Sequence, residues 1–541
     1  MMGHLIKFSN FYGSEVPQNP IEIIKLLPKE EILATITAIN ARLKPIDKSY
    51  FDDSRETQIE CLRVLFLDNN NHPSQSNCLK FILKYLRTPE NHNLFSRVTC
   101  LYAFQEVIDT EGFVEATPEY TIDLRERILK YLLSVNESIL LFDQEYSVDD
   151  HKTLGKNFFE YFMFKELPHN QYYATSNSIN LFFKAFSLFK AIDLDNTFGN
   201  HLRDYLKETF GVESMNDFFK NQMYSYFVSY DKILKFQYIK KSPLYKNSGK
   251  DGKDIITYLV LDNTLLIEKT YSLFINDFWF DYLKVKNICN RTDWGNFIGS
   301  VFFEPFLEEI LNNSFKNNKR TVLKATDDLK FKLNGRDEIE YADFYVRESN
   351  KIIIAEAKSN YLPVVNGYKT VKTIADYQAL NLNKFYKDYG LTQLTVKTVK
   401  LFHDYKMYIK DMSFNFKRKV TLFPVLVVND PIFSSGLASF AFKRKFEHSL
   451  IDENIEIENE THKIMPLTII NVSDFQDMEQ SLHDGDENIF NIIRYFHSIS
   501  SKKRIPTEGT TVVLKTIEHA INKRIKRKLI ANRIKNLTWL E

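Results

Sequence analysis

The stretch "ADFYVRESNKIIIAEAKS", residues 342–359, decides the fold. Its two apolar runs flank Ser349-Asn350, a pair suited to a tight turn, so the stretch reads as a β-hairpin. The second run drives Ile352, Ile353, Ile354 and Ala355 into what reads as a buried strand, then places Glu356 and Lys358 on it two positions apart. A buried charge is costly unless something pairs it. A turn on Ser349-Asn350 sets Asp343 directly across from Glu356, with Lys358 on the same face. A register slip of one residue would turn Asp343 away.

The pattern around the hairpin completes a domain. Residues 292–311, "TDWGNFIGSVFFEPFLEEIL", read as a helix. The segment "LKFKLNGRDEIEYADFYV" holds Asn334-Gly335, a strong two-residue turn signal. After the hairpin comes a helical pattern, "TVKTIADYQALNLNKFYKDYG", then two apolar strands, "LFPVLVVND" (422–430) and "MPLTIINVSDF" (465–475). Helical patterns return in "NIFNIIRYFHSI" and "TIEHAINKRIKRKLIANRIKNL". The order of α, β meander, α and β predicts a mixed sheet flanked by helices over residues 290–475.

Two opposed carboxylates destabilise a sheet unless a cation bridges them. Mg²⁺ is a hard ion held through one or two carboxylates, keeping waters and substrate phosphates as its other ligands. Acid-x-Lys occurs elsewhere by chance, at Asp150-His-Lys152, Asp251-Gly-Lys253 and Asp328-Leu-Lys330. None of these follows an apolar strand-like run. Glu356-Ala-Lys358 does, and it has an acid one hairpin upstream.

On Asp343 in "IEYADFYV" and Glu356-Ala-Lys358 in "IIIAEAKS", residues 290–475 resemble the PD-(D/E)XK nuclease superfamily, the fold of many restriction-type endonucleases. The resemblance implies a restriction-endonuclease-like α/β fold, Mg²⁺ with Mn²⁺ as substitute, Asp343 and Glu356 as metal ligands and Lys358 as the catalytic lysine. It also implies a helical Glu after an aromatic, for which Phe303-Glu304 fits, with Glu308 one turn on as the alternative because Pro305 disfavours helix at Glu304. A Gln on the helix after the lysine strand would be Gln378; the Q-x-x-x-Y pattern of one branch is not met, since position 382 is Leu. Ala342 replaces the Pro of the family name.

A chain of 541 residues exceeds one hydrophobic core. The expected division is a helical domain over 1–235, a connector over 236–289, the nuclease-like domain over 290–475 and C-terminal helices with a basic tail over 476–541. The helical reading of the first part rests on stretches such as "CLKFILKYLRT", "TIDLRERILKYLLSV" and "SINLFFKAFSLFKAI". Its aromatics are read as core. The loop "KKSPLYKNSGKDGKD" does not match a phosphate-binding G-x-x-x-x-G-K-[ST] pattern.

The four cysteines, Cys61, Cys78, Cys100 and Cys289, form no C-x-x-C pair and lack histidines at zinc-finger spacing. The opening "MMGHLIKFSN" has no signal-peptide apolar region, and no apolar run reaches the roughly 18–20 residues of a membrane span. A cytoplasmic protein without membrane contact is expected. Net charge is +1, yet residues 501–541 hold 11 Lys and Arg against three Glu. Such a basic end suits a polyanion. So do "FKRK" at 416–419 and 442–445, which offer Lys417, Arg418, Lys419, Lys443, Arg444 and Lys445 as nucleic-acid backbone contacts, and "IKRK" at 525–528.

No G-x-S-x-G elbow, H-E-x-x-H helix, kinase signature or G-x-G-x-x-G is present. The expectation is a Mg²⁺-dependent endonuclease acting on nucleic acid, most naturally double-stranded DNA, of the kind found among prokaryotic restriction or anti-phage effectors. Its helical N-terminal region would bind a partner protein or form a homo-oligomer. The alternative is a nuclease-like fold that binds nucleic acid without cutting it.

Overall fold

A computed structural model describes residues 4–13, 16–43, 52, 54–66, 74–89, 92–115, 122–140, 153–157, 160–161, 163–164, 178–212, 244–247, 257–268, 271, 274–332, 338–360, 371, 373–396, 398, 411, 413–414, 418–500 and 514–525. The chain divides into two compact units, one of Met2–Thr153 with Thr175–Val285, the other of Leu154–Ala174 with Lys286–Glu541. The larger part of the second unit runs from Lys286 onward and includes the C-terminal helices. The unit also takes in the short segment Leu154–Ala174 from the first half of the chain. Among the described residues, no helix is long and apolar enough to cross a membrane.

The first unit is helical. Its main helices are Lys29–Leu43, Arg55–Phe66, Ser74–Leu86, Arg97–Asp109, Ile122–Leu140, Ser178–Leu194 and Phe198–Phe210. Each buries a stripe at helical spacing, such as Ile32, Ile36 and Ile39, because three- and four-residue steps return to one face. Pro28 immediately precedes the first residue of the helix Lys29–Leu43. Two short ladders accompany the helices. β1 (His4–Leu5) pairs in parallel with β2 (His92–Asn93), and β3 (Leu244–Asn247) pairs antiparallel with β4 (Thr257–Val260). The buried Arg97 guanidinium meets Asp262 at 2.8 Å, and Asn40 donates to the same carboxylate at 3.0 Å. This buried charge is paired and hydrogen-bonded, the condition under which one is tolerated.

The second unit is mixed α/β. Its strands are β5 (Thr321–Ala325), β6 (Lys330–Lys332), β7 (Glu338–Glu340), β8 (Phe344–Glu348), β9 (Lys351–Lys358), β10 (Val420–Val428), β11 (His462–Ile464) and β12 (Thr468–Asn471). β6 and β7 form a separate antiparallel pair; its Asn334-Gly335 turn lies outside the described residues. The other six form one sheet in the order β5-β8-β9-β10, with β11 and β12 both on the far side of β10. β5, β8 and β9 are antiparallel, while β10 runs parallel to β9, β11 and β12. β9 is buried from Ile352 to Ala357, as a central strand covered on both faces requires.

Pro424 explains why two strands share one edge of β10. The Val420 N–H donates toward β11, at Thr461 O, and the Thr421 N–H donates toward β9, at Asn350 O. By alternation, position 424 would donate to the β11–β12 side, and proline has no N–H. The partner changes there, from Ile464 opposite Leu422 to Thr468 opposite Val425. The apolar run at 465–475 accordingly yields only β12 as strand. Asn471 then caps a helix, Val472–His483, through a capping box with Asp474.

Helices cover both faces. The helix Ile489–Ser500 sets Phe490 edge-on to Phe423, with ring centroids 5.1 Å apart. Phe423 is in register with Ile353, on the face opposite Glu356. On the Glu356 face, the chain after β9 forms three short helices, Ile374–Gln378, Leu382–Asp388 and Leu391–Val396, where the sequence pattern suggests one longer helix. The breaks fall where Asn381 caps the second helix and Gly390, at a φ of 78°, ends it.

Candidate active site

The β8–β9 register places Phe344 opposite Ala355 and Glu348 opposite Lys351. The two-residue turn rests on Ser349, whose φ of 56° supplies the left-handed residue a tight hairpin demands. Asp343 thus faces Glu356 just past the last ladder pair. The Asp343 N–H donates to Ala355 O at 3.2 Å, and the Asp343 carboxyl accepts from the Ala357 N–H at 2.5 Å. The backbone leaves the ladder at Ala342, because the Tyr341 N–H donates to Leu329 O instead. The Asp343 side chain takes over the place of a ladder bond. Asp343 is 5% exposed and Glu356 2%.

Lys358 Nζ lies 2.8 Å from Glu356 Oε1. Burial alone would lower the Lys358 amine, but Glu356 and then Asp343 outweigh it and hold the amine above its ordinary value. It is an ammonium at neutral pH. Asp343 goes the opposite way. Burial, the Glu356 charge and a hydrogen bond with Glu340 push its carboxyl well above the usual range, against the pull of Lys358 and the Ala357 N–H.

Glu304 joins this cluster. Burial and then the Glu340 charge raise its carboxyl, with Lys358 and Glu356 also acting on it. Pro305 neither starts nor breaks the helix here. Arg291–Asn296 continues through wider turns over Phe297–Phe303 into Glu304–Phe315, and Glu304 is helical at φ −63° and ψ −49°. In the wide turn, the Glu304 N–H reaches back five residues to Gly299 O. That spacing relieves the crowding a proline ring imposes on the preceding turn, and such turns recur at functional sites. Gly299 lies against Ser359, next to Lys358, which brings this helix to the end of β9. Glu308 is half-buried one turn further along.

Two residues of the site are missed by sequence reasoning. Glu340 ends β7, and only the departure of the chain at Ala342 brings it beside Asp343 and Glu304. Gly390 packs against the Lys358 side chain, where an added Cβ would stand 2.5 Å from Lys358 Cε and 3.0 Å from Glu356 Cγ. A glycine closing the helical pattern "NKFYKDYG" is the signal that marks it.

The remaining candidates are placed less centrally. Gln378 is exposed at the end of Ile374–Gln378, whose buried residue is Tyr377. Lys417 and the tail beyond Ile525 lie outside the described residues. Arg418 is exposed. Lys419 pairs with Glu458 at 2.9 Å, and Lys463 reaches the same carboxylate at 2.8 Å. Bonds from Lys463 and Lys419 pull the Glu458 carboxyl down to about 2. Lys443, Arg444 and Lys445 are consecutive on the helix Gly436–Asp452, so they point in directions about 100° apart rather than forming one stripe. Arg444 lies over Phe440 and Lys445 over Tyr386.

Comparison with family models, with curated proteins and with solved structures gives no match. The chemistry of the site therefore rests on its own geometry. Among the described residues, no three His, Cys, Asp or Glu side chains are arranged around a common cation position. A hard dication needs only one or two carboxylates, with water and phosphate completing its shell. Asp343 and Glu356 are a pair of oxygen donors whose mutual repulsion already raises Asp343, and a dication would relieve it. The donor set fits Mg²⁺ or Mn²⁺ and contains no soft ligand.

Proposed function

We propose that the second unit is a metal-dependent nuclease of PD-(D/E)XK type with a restriction-endonuclease-like fold, hydrolysing phosphodiester bonds in DNA as a restriction or antiviral effector. The observation that supports it most is the meeting of Asp343, Glu356 and Lys358 at one end of the sheet, with Glu304 beside them. Asp343 and Glu356 would hold Mg²⁺, and when bound the ion supplies an acidified water and a counter-charge for the phosphate.

The roles of the chain's own groups follow from their electrostatics. Asp343 is tethered to the Ala357 N–H, so its carboxyl is oriented before any substrate arrives. Lys358 is held charged by Glu356 and Asp343, which suits it to stabilise negative charge on a phosphorane better than to take a proton from water. Glu304 and Glu340 add negative charge that a cation would offset.

The test is plasmid incubated with the protein and Mg²⁺ or Mn²⁺, beside a Lys358→Ala variant. We expect nicking or linearisation by the wild type and a loss of about 10²–10³-fold in the variant. Equal cleavage by both proteins would refute the assignment of Lys358. Retarded but uncut plasmid with either metal would favour a binding module over an enzyme.

A further inference from the structure

The segment Leu154–Ala174 belongs to the second unit, although the chain on both sides of it folds into the first. Tyr161, Met163 and Phe164 are buried. Tyr161 sets its ring edge-on to Tyr377, with centroids 5.6 Å apart, and Phe164 does the same to Phe385 at 4.9 Å. Between these rings, Glu160 receives two phenol hydrogens. Tyr377 Oη donates to Glu160 Oε1, and Tyr386 Oη donates to Glu160 Oε2 at 2.5 Å. Tyr377 lies on Ile374–Gln378 and Tyr386 on Leu382–Asp388, so one carboxyl ties two helices together.

The second of those helices forms a wall of the candidate site. It runs into Tyr389, which is buried with its ring centroid 4.9 Å from Phe385 and 4.4 Å from Phe433. Gly390 follows, in the left-handed region and without room for a Cβ against Lys358 Cε and Glu356 Cγ. A shift of this helix end by a fraction of an ångström moves what Lys358 rests on. An unbroken series of contacts leads from Glu160 through the Tyr386 helix to Gly390 and the Glu356–Lys358 pair.

We propose that Glu160 is a positioning residue of this site: by holding Tyr377 and Tyr386 it fixes the helix end at Gly390 and so sets where the Lys358 ammonium points. The consequence for catalysis rests on the nuclease reading, whereas the placement of Lys358 does not. Glu160 comes from a segment far from the hairpin in sequence, so the site depends on more of the chain than the stretch that carries its acids.

The experiment reads Lys358 directly, without metal or nucleic acid. Acetylation of individual lysines is followed by mass spectrometry at one fixed pH, in the full chain and in Glu160→Gln and Tyr386→Phe variants. Lys351, at the other end of β9, is the internal reference. Loss of a hydrogen bond of this kind should raise Lys358 reactivity about tenfold, with Lys351 unchanged. Lys358 reactivity equal to wild type in both variants overturns the proposal. Should Glu160→Gln expose every lysine together, Tyr386→Phe decides, because it removes one phenol and keeps the other.

Plasmid cleavage by the same proteins separates the two readings. A displaced Lys358 in a protein that never cuts would uphold the positioning role of Glu160 and sink the nuclease. Cleavage by both variants at the wild-type rate, with Lys358 reactivity unmoved, would sink the positioning role of Glu160 alone.

Discussion

One face of the β8–β9 hairpin carries buried charge at both ends, and the two ends are built in opposite ways. At the turn end, Arg347 grips Asp411 with two guanidinium nitrogens, and Tyr345 Oη and Ser413 Oγ donate to the same carboxylate at 3.0 and 2.8 Å. Burial would raise Asp411, but the bonds from Arg347, Ser413 and Tyr345 outweigh it and hold the acid below its usual value. At the other end, four positions away on the same strand face, Asp343 meets Glu356 and Glu340, and burial and repulsion raise it. The first end satisfies its charges internally. Among the described residues, the second brings Asp343, Glu356, Glu340 and Glu304 together with Lys358.

The largest effect should come from breaking the balanced end. Asp411→Ala leaves the Arg347 guanidinium buried with its partner gone, and the expected loss is about 3–5 kcal/mol, read as a fall in the urea midpoint at constant slope. A midpoint unchanged within error would mean that the network is not a structural tie.

A smaller effect of opposite sign is expected at the unbalanced end. Asp343→Asn keeps an oxygen for the Ala357 N–H and removes the charge facing Glu356. The variant should be more stable than wild type by about 1–2 kcal/mol at neutral pH, and under the proposed nuclease function it should lose cleavage. Destabilisation by Asp343→Asn would show that the cluster is not strained by its own charge.

The smallest and sharpest difference lies in the pH dependence. Asp343 has a raised folded-state value, so its contribution is fully present below the ordinary aspartate value of 3.8 and is lost as pH rises through the raised value. The advantage of Asp343→Asn should therefore shrink as pH falls from neutrality. Asp411 has a lowered value, so its contribution is present above 3.8 and is lost as pH falls through the lowered one. The penalty of Asp411→Ala should shrink only at still lower pH. Thermal melts of both variants across this range separate the two ends, and parallel curves would erase the distinction.

Much of the hairpin is legible in the amino-acid sequence. A two-residue turn at Ser349-Asn350 leaves one register, and the period of two then puts Asp343, Glu356 and Lys358 on one face. The apolar runs of β9 and β10 likewise announce central strands. Glu304 is legible as a candidate, but Pro305 argues against helix there, and the wide turns that accept it carry no sequence signal. The single helix read after β9 becomes three because Asn381 and Gly390 act as local stops that outweigh the apolar period.

Local chemistry in the sequence therefore determined which residues could meet across a hairpin, since turn length and side-chain alternation are short-range properties of the backbone. What those residues meet was a tertiary decision. Glu340, Gly390, Asp411 and Glu160 reach the hairpin or its supports from separate parts of the chain, where packing, and no periodicity, brings side chains together. The balance of charge at each end is a sum over those neighbours. That is why the acids could be read from the chain, but their strain could not.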